Sequence, residues 1–359
     1  MFTITPPEEL VRKLREDYAR MTGRYPSPSD VEDFLISLIA YDRSQLEGQM
    51  NYYRKQNFLR YATGEALDLL GEWLGVKRLP PEPAVTTVRL YFETPHPQIV
   101  LDTEDVKVVA PNQLIFKPQE PLIIPENVPE FDALFVCETP GSIGNGFLAG
   151  ELRNLLQPVP YVKAVENITI TAGGKETEDD EHLRDRIRLA PYRFNTAGTR
   201  KGYIYWAKTA SASVIDVSVL SPSPGVVEVY VLTDQLPVPA EILSKVDEIL
   251  SAENVRPLTD YVVVKPAEPV EFTVDVEVKI ADGFETLATQ ILDKCREEID
   301  NYIAETKRKL GQPINPDQII YRLMGIQGVF YVKVNSPAYT ELKEWQVGVG
   351  KVEEVVLST

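Results

Sequence analysis

The chain has 359 residues, 43% of them hydrophobic and 25% charged. That is enough apolar material for about two to four packed domains, and it excludes a disordered or collagen-like polymer. The formal charge is −17, yet residues 1–80 hold 11 Lys/Arg against 12 Asp/Glu, so the excess acid lies beyond them, which argues against a nucleic-acid or anionic-membrane partner.

The first elements in the chain are helical. Leu10, Leu14, Tyr18 and Met21 recur at steps of four, four and three after Pro6-Pro7, which predicts an amphipathic helix that Gly23 and the Pro26–Pro28 turn bring to an end. Ser29 and Glu32 form a capping-box pattern, after which apolar positions run without proline to about Tyr61. Phe34, Leu38, Leu46, Met50 and Tyr53 lie on this long helix and are candidate partner-interface residues. Either partner helices or neighbouring helices of the same subunit would cover its stripe, and the sequence leaves both open. Thr63 is placed to cap a short helix with Leu67, Leu70 and Leu74 inward and Gly75 as its left-handed stop.

After the stiff Pro80–Pro83 linker the pattern turns to short strands at 86–93, 106–109, 122–124, 134–138 and 168–171, separated by frequent prolines. The loop Pro140-Gly141-Ser142-Ile143-Gly144-Asn145-Gly146 demands positive φ at several positions. From residue 173 helices and strands mix: helices near 177–189, 200–211 and 239–252, a hairpin of 214–220 with 226–233, and a strand at 261–265. A strand at 270–280, helices at 284–309 and 316–324, a strand at 329–335 and a closing hairpin of 345–349 with 351–357 complete the chain. Val214, Val217 and Val219 align with Val329, Val332 and Val334 at one offset, which points to a shared supersecondary unit. The expected fold class is multidomain α+β: an N-terminal helical part (1–80), a small all-β domain (81–172) and two α/β (α+β) units (173–267 and 268–359).

Chemistry-bearing constellations are scarce. The two histidines, His96 and His182, are far apart, and Cys137 and Cys295 are the only cysteines, so neither a triad nor a histidine- or cysteine-based metal site is indicated. The cysteines read as buried thiols of a reducing compartment. The acids Glu176, Glu178, Asp179, Asp180 and Glu181 suit the first turn of a helix better than a converging cation site. Arg184, Arg186 and Arg188 are spaced by two and splay over different faces. Arg184 is placed to pair with Asp180 and Arg188 with Asp185, and Arg184 and Arg188 are further candidate interface residues. Gly198–Gly202 lacks the spacing of a phosphate loop and reads as a turn with a threonine cap. No catalytic, cofactor-binding or metal-ligating residue is therefore expected. The opening MFTITPPEELVRKLRED turns charged at once and no run approaches a membrane span, so a cytoplasmic product is expected.

Four elements in order carry a resemblance: A-T-G-x-x-L-D at Ala62–Asp68, G-x-x-G-N at Gly141–Asn145, the stretch Glu176–Trp206, and R-P-x-x-D at Arg256–Asp260. Within the third, Glu176, Thr177, Glu181, Leu183, Arg184, Arg186, Ala197, Gly198, Gly202, Tyr203 and Trp206 match the central signature of baseplate J-like proteins, which the chain resembles. The resemblance implies a structural wedge subunit, made in the bacterial host cytoplasm and built into a contractile tail or injection-system baseplate. It implies copies joined in a ring, partnered by a small lysozyme-like wedge subunit, an elongated wedge protein and central hub or spike proteins. It implies no cofactor, and a conformational role in passing on the contraction trigger. The competing class is a tail-associated carbohydrate-degrading enzyme or glycan-binding adhesin.

Overall fold

The structure is a computed structural model that describes residues 5–194, 198–252, 255–257 and 259–357. It divides into two compact units, Met1–Lys77 and Arg78–Thr359. Together they are mixed α+β, as the sequence leads one to expect.

The first unit contains α1 (Pro7–Thr22), α2 (Val31–Gln56) and α3 (Gly64–Trp73). Gly23 ends α1 at φ 73°, its N–H returning to the Ala19 carbonyl. Leu10, Ile36 and Ala40 are buried, and Arg15 grips Asp33 with two bonds of 2.6 and 2.8 Å. Ser29 is not the cap of α2. Asp30 holds that position without a side-chain cap bond and accepts from the Ser27 amide instead. Thr63 precedes α3 without capping it, its own amide being drawn to Gln56 Oε1 at 2.8 Å.

The second unit opens with a nearly closed, barrel-like sheet. Its strands are β1 (Val85–Phe92), β3 (Val108–Val109), β4 (Ile115–Pro118), β6 (Glu130–Cys137), β7 (Asn154–Leu155) and β8 (Val162–Asn167); β2 (Ile99–Leu101) and β5 (Leu122–Ile124) form a separate ribbon. The sheet order is β7-β3-β4-β6-β1-β8, and β1, between β6 and β8, alternates half-buried and buried residues. Val88, Leu90, Phe116, Phe135 and Leu152 fill the interior. The strand expected at 168–171 is absent; Asn167 ends β8 and turns its amide back to the Leu148 and Thr169 carbonyls. Strand β4 escapes a sequence reading because it is short and ends in Pro118, yet its Phe116 is fully buried.

Two three-stranded layers follow. The first combines α4 (Asp180–Leu189), α5 (Arg200–Ala210), β9 (Val214–Ser223), β10 (Val226–Thr233), α6 (Ala240–Ser251) and β11 (Tyr261–Pro266). The second combines β12 (Glu268–Ile280), α7 (Ala288–Thr306), α8 (Pro316–Met324), β13 (Val329–Ser336) and β14 (Gln346–Leu357). Each sheet has a central strand paired antiparallel on one side and parallel on the other: β10 between β9 and β11, β12 between β13 and β14. The central strand comes second of three in the first layer and first of three in the second. The alignment of Val214 with Val329 therefore marks a helix followed by an antiparallel edge strand in both.

The closing hairpin expected at 345–357 is one continuous strand. Gly348 and Gly350 are not turn residues there. A Cβ at Gly350 would sit 2.6 Å from Phe272 Cζ and 2.8 Å from Ile303 Cγ1, so the glycines make room for the Phe272 ring beneath β14. Leu232, Ala267, Leu310 and Val347 form a further buried cluster joining the two layers.

Candidate functional site

In the first unit the feature of interest is the outer face of α2, a helix about 39 Å long at ~1.5 Å per residue. Helix α1 covers Ile36 and Ala40, while Phe34, Leu38, Leu46, Met50 and Tyr53 remain between 51% and 69% exposed. Tyr52 stacks edge-on against Tyr53 with ring centroids 5.6 Å apart. A stripe of this size is a surface that association would bury.

In the second unit the signature stretch is a joint. Glu178 is its centre and is buried. Arg186 Nη1 donates to Glu178 Oε2 at 2.7 Å, His182 Nδ1 to Oε1 at 2.5 Å and the Leu79 amide to Oε2 at 2.8 Å. Burial pulls the Glu178 carboxyl upward. The His182 hydrogen bond, the Arg186 charge and the Leu79 amide outweigh it and hold the group below the ordinary carboxylate range. His182 Nε2 reaches on to the Val214 carbonyl at 2.9 Å. Arg78 donates to the Glu178 carbonyl and to Asp180 Oδ1, both at 2.7 Å. Glu178 and the His182 ring it holds thus tie the chain at Arg78–Leu79, α4 and the start of β9 together.

The acidic run divides its labour. Asp179 alone caps α4, accepting from the His182 amide. Glu176 accepts from the amide and hydroxyl of Ser142, Asp180 takes Arg78 and Glu181 takes Arg184. Where spacing suggested an Arg184–Asp180 surface pair, Arg184 is buried and pairs with Glu181, and Asp180 pairs with Arg78. Arg188 pairs with Asp185 at 3.2 Å on the exposed face, as its spacing suggests. Arg186 is buried on Glu178, so Arg186 and Arg188 occupy different faces of α4. Glu178, His182 and Arg186 recur every four residues, and that period was the available signal for a common face.

The remaining motifs meet in pairs. Asn145 exchanges two 2.8 Å bonds with the Gly174 backbone, closing the G-x-x-G-N loop onto the chain that leaves the barrel. Thr199 caps α5 and accepts from the Gly202 amide, and the Tyr203 hydroxyl donates to Asp260 Oδ2 at 2.7 Å. Burial and that carboxylate push the Tyr203 phenol well above its ordinary range. Arg256 bonds the Ser251 carbonyl at the end of α6 and the Asp260 carbonyl. Thr196, Ala197 and Leu258 of these motifs lie outside the described residues. Glu82 adds a further tie, accepting from Lys245 at 2.5 Å and from the Ser211 hydroxyl at 3.1 Å.

A 460 Å³ cleft beside the joint is lined by Lys175, His182, Asp185, Lys208, Asp234 and Lys307 among others. Its charges are already matched in part, Lys175 with Asp234 and Lys208 with Asp185 at 3.6 Å. Among the described residues no group of three or more His, Cys, Asp or Glu is placed to hold a metal ion, and no helix is long and apolar enough to cross a membrane. The geometry is that of fixed seams between layers.

Three family models match the chain: the Baseplate J-like protein barrel domain at residues 86–174, the Baseplate J-like central domain at 195–266 and the Baseplate J-like protein C-terminal domain at 272–353. Baseplate protein J of Escherichia phage P2 is 29% identical over 178 residues, covering 49% of this chain and 58% of that protein. The phage-like element PBSX protein XkdT of Bacillus subtilis (strain 168) is 25% identical over 236 residues, 63% of each chain. The chain thus spans about three fifths of the length of these relatives. A chain in the cryo-EM structure of the anti-feeding prophage baseplate, 6-fold symmetrised, aligns over 95% of this chain and 90% of its own, at 13% identity and a TM-score of 0.44. With three successive domain models in order along its sequence, the chain belongs to the baseplate J-like family.

Proposed function

We propose that the protein is a non-enzymatic, structural baseplate wedge subunit of a contractile tail or injection system. In this reading copies join in a ring around a central hub and transmit the contraction trigger. The working division is a helical partner-binding region at 1–80, a β domain at 81–172 and two α+β units at 173–267 and 268–359. The family supports the baseplate role. The single observation that carries the partner-binding assignment is the exposed apolar face of α2, on which Phe34, Leu38, Leu46, Met50 and Tyr53 stand open in a helix too regular to be a linker.

The partners in this reading are a small lysozyme-like wedge subunit and an elongated wedge protein on the helical region, with hub or spike proteins inside the ring. Assembly takes place in the host cytoplasm before the baseplate joins the tail. Arg188 serves a ring contact. Arg184, buried on Glu181, acts indirectly by holding α4 in place.

Co-expression with the lysozyme-like subunit followed by size-exclusion chromatography tests the assignment. The full chain is expected to co-elute with it and a chain lacking residues 1–80 to elute alone. A stable complex formed by the truncated chain but not by the full one overturns the proposal.

A further inference from the structure

Asn145 is the one asparagine of the chain that glycine follows; every other precedes a residue with a side chain. In an unfolded chain an Asn-Gly pair deamidates readily, because no side chain shields the glycine nitrogen from the neighbouring carboxamide carbon. In this fold both reacting groups are engaged. The Gly146 amide donates to the Thr171 carbonyl at 2.9 Å. Asn145 Nδ2 donates to the Gly174 carbonyl, and its Oδ1 accepts from the Gly174 amide, both at 2.8 Å. Phe147 continues the seam, its amide donating to Thr171 Oγ1 at 2.9 Å and its carbonyl accepting from the Thr171 amide at 3.0 Å. Residues 145–147 are thus zipped to 171–174.

The carboxamide also fills a tight slot. A Cβ at Gly174 would stand 2.8 Å from Asn145 Oδ1 and closer still to the Gly141 carbonyl oxygen. Yet the seam lies at the surface: Gly146 is exposed and Asn145 half-buried, so water and hydroxide reach both once these bonds open. The other end of the loop is anchored separately. Ser142 donates its amide and its hydroxyl to Glu176 Oε1 at 2.9 and 2.8 Å. A few surface hydrogen bonds therefore hold the loop closed, and such a segment opens at far lower cost than the core beneath it.

We propose that Asn145 is a latent modification site: opening of the loop away from Thr171 and Gly174 frees it to deamidate, and the closed seam delays the reaction. The freed Gly146 nitrogen loses its proton to base and bonds to Asn145 Cγ, and the side-chain nitrogen leaves as ammonia, which closes a five-membered succinimide. Water then opens the ring at either carbonyl, adding hydroxyl to the carbon and a proton to the nitrogen, and leaves aspartate or isoaspartate. Either product ends the two-bond exchange. A carboxylate cannot donate to the Gly174 carbonyl, and isoaspartate also lengthens the backbone by one carbon. A reversible opening where the chain leaves the barrel thereby becomes a permanent one.

The test is peptide mass mapping of the full chain after incubation at mildly alkaline pH, folded and in urea, with isoaspartate measured in the same peptides. Asn145 is expected to react faster than any other asparagine in urea, and roughly tenfold or more slower in the folded chain. Glu176→Ala releases Ser142 while leaving Asn145 and Gly146 as they are, so it is expected to speed the folded-state reaction severalfold and to leave the rate in urea unchanged. Ser142→Ala, which removes only the hydroxyl bond, is expected to act in the same direction by less. Asn145→Asp, made directly, is expected to melt below the wild type. Equal rates in the folded chain and in urea overturn protection by the fold. A rate in urea no faster than that of other asparagines overturns the site, and aspartate without isoaspartate overturns the succinimide route. Folded-state rates that neither variant changes overturn loop opening as the step that frees Asn145, and an unchanged melting temperature for Asn145→Asp overturns the loss of the lock.

Discussion

The Tyr203 hydroxyl and Asp260 Oδ2 lie 2.7 Å apart, joining two sequence motifs 57 residues distant into one contact. Gly198 completes it: at φ +67° a Cβ there would stand 2.6 Å from the same Asp260 oxygen and 3.0 Å from Pro257 Cγ. The glycine of one motif and the aspartate of the other are thus parts of a single packing solution. Removing the donor in Tyr203→Phe leaves the carboxylate short of a charge-assisted bond and is expected to cost about 2 kcal/mol in urea unfolding. Gly198→Ala adds both a clash and left-handed strain and is expected to cost at least as much.

Glu178 and Asp180 are two residues apart and differ sharply in setting. The first is buried with Arg186; the second meets Arg78 near the surface. Glu178→Gln strips the charge opposite a buried guanidinium and is expected to cost about 3 kcal/mol, whereas Asp180→Asn is expected to cost under about 1 kcal/mol. Equilibrium denaturation of both variants makes the comparison; equal effects contradict the joint described for Glu178.

The same carboxylate sets an acid limit. Its folded-state titration lies below the unfolded one, so its contribution is complete above the unfolded carboxylate range of about 4.3 and is lost as pH falls through the folded value. Thermal midpoints of wild type and Glu178→Gln are expected to differ most above pH 5 and to converge in acid. A constant difference down to pH 2 contradicts the assignment.

His96 works with the opposite sign. Its ring is buried with Nε2 2.9 Å from the Val128 carbonyl and Nδ1 2.6 Å from the Pro97 carbonyl, contacts that raise its titration although burial opposes them. Its contribution is complete below the unfolded value of about 6.5 and is lost as pH rises through the folded one. His96→Gln is expected to flatten the decline of thermal stability on the alkaline side of that value, which melting curves between pH 5 and 9 would reveal.

Much of the architecture was legible because periodicity and glycine or proline punctuation act locally. The long helix, the capped turn at Thr199 and the Arg256 end of α6 all followed from residues close in sequence, whereas the exposure of Phe34 and Met50 did not. What escaped was non-local. Gly348 and Gly350 look like a turn until Phe272, some 75 residues earlier, is seen beneath them. The acids at 176–181 look alike until Ser142, Arg78 and Arg186 select among them. A run of like residues reveals its division of labour only when the partners brought by the fold are known.

The proposed function has this chain work by assembly through the open face of α2. Light scattering coupled to size-exclusion chromatography, on the chain with the lysozyme-like subunit proposed as its partner, tests it using the substitutions Phe34→Ser, Leu38→Ser and Tyr53→Ser together. These side chains are exposed in the isolated unit, so circular dichroism of the variant alone is expected to match the wild type. The wild type is expected to form a stable complex and the variant none; a variant that binds the subunit as tightly as the wild type contradicts assembly through α2.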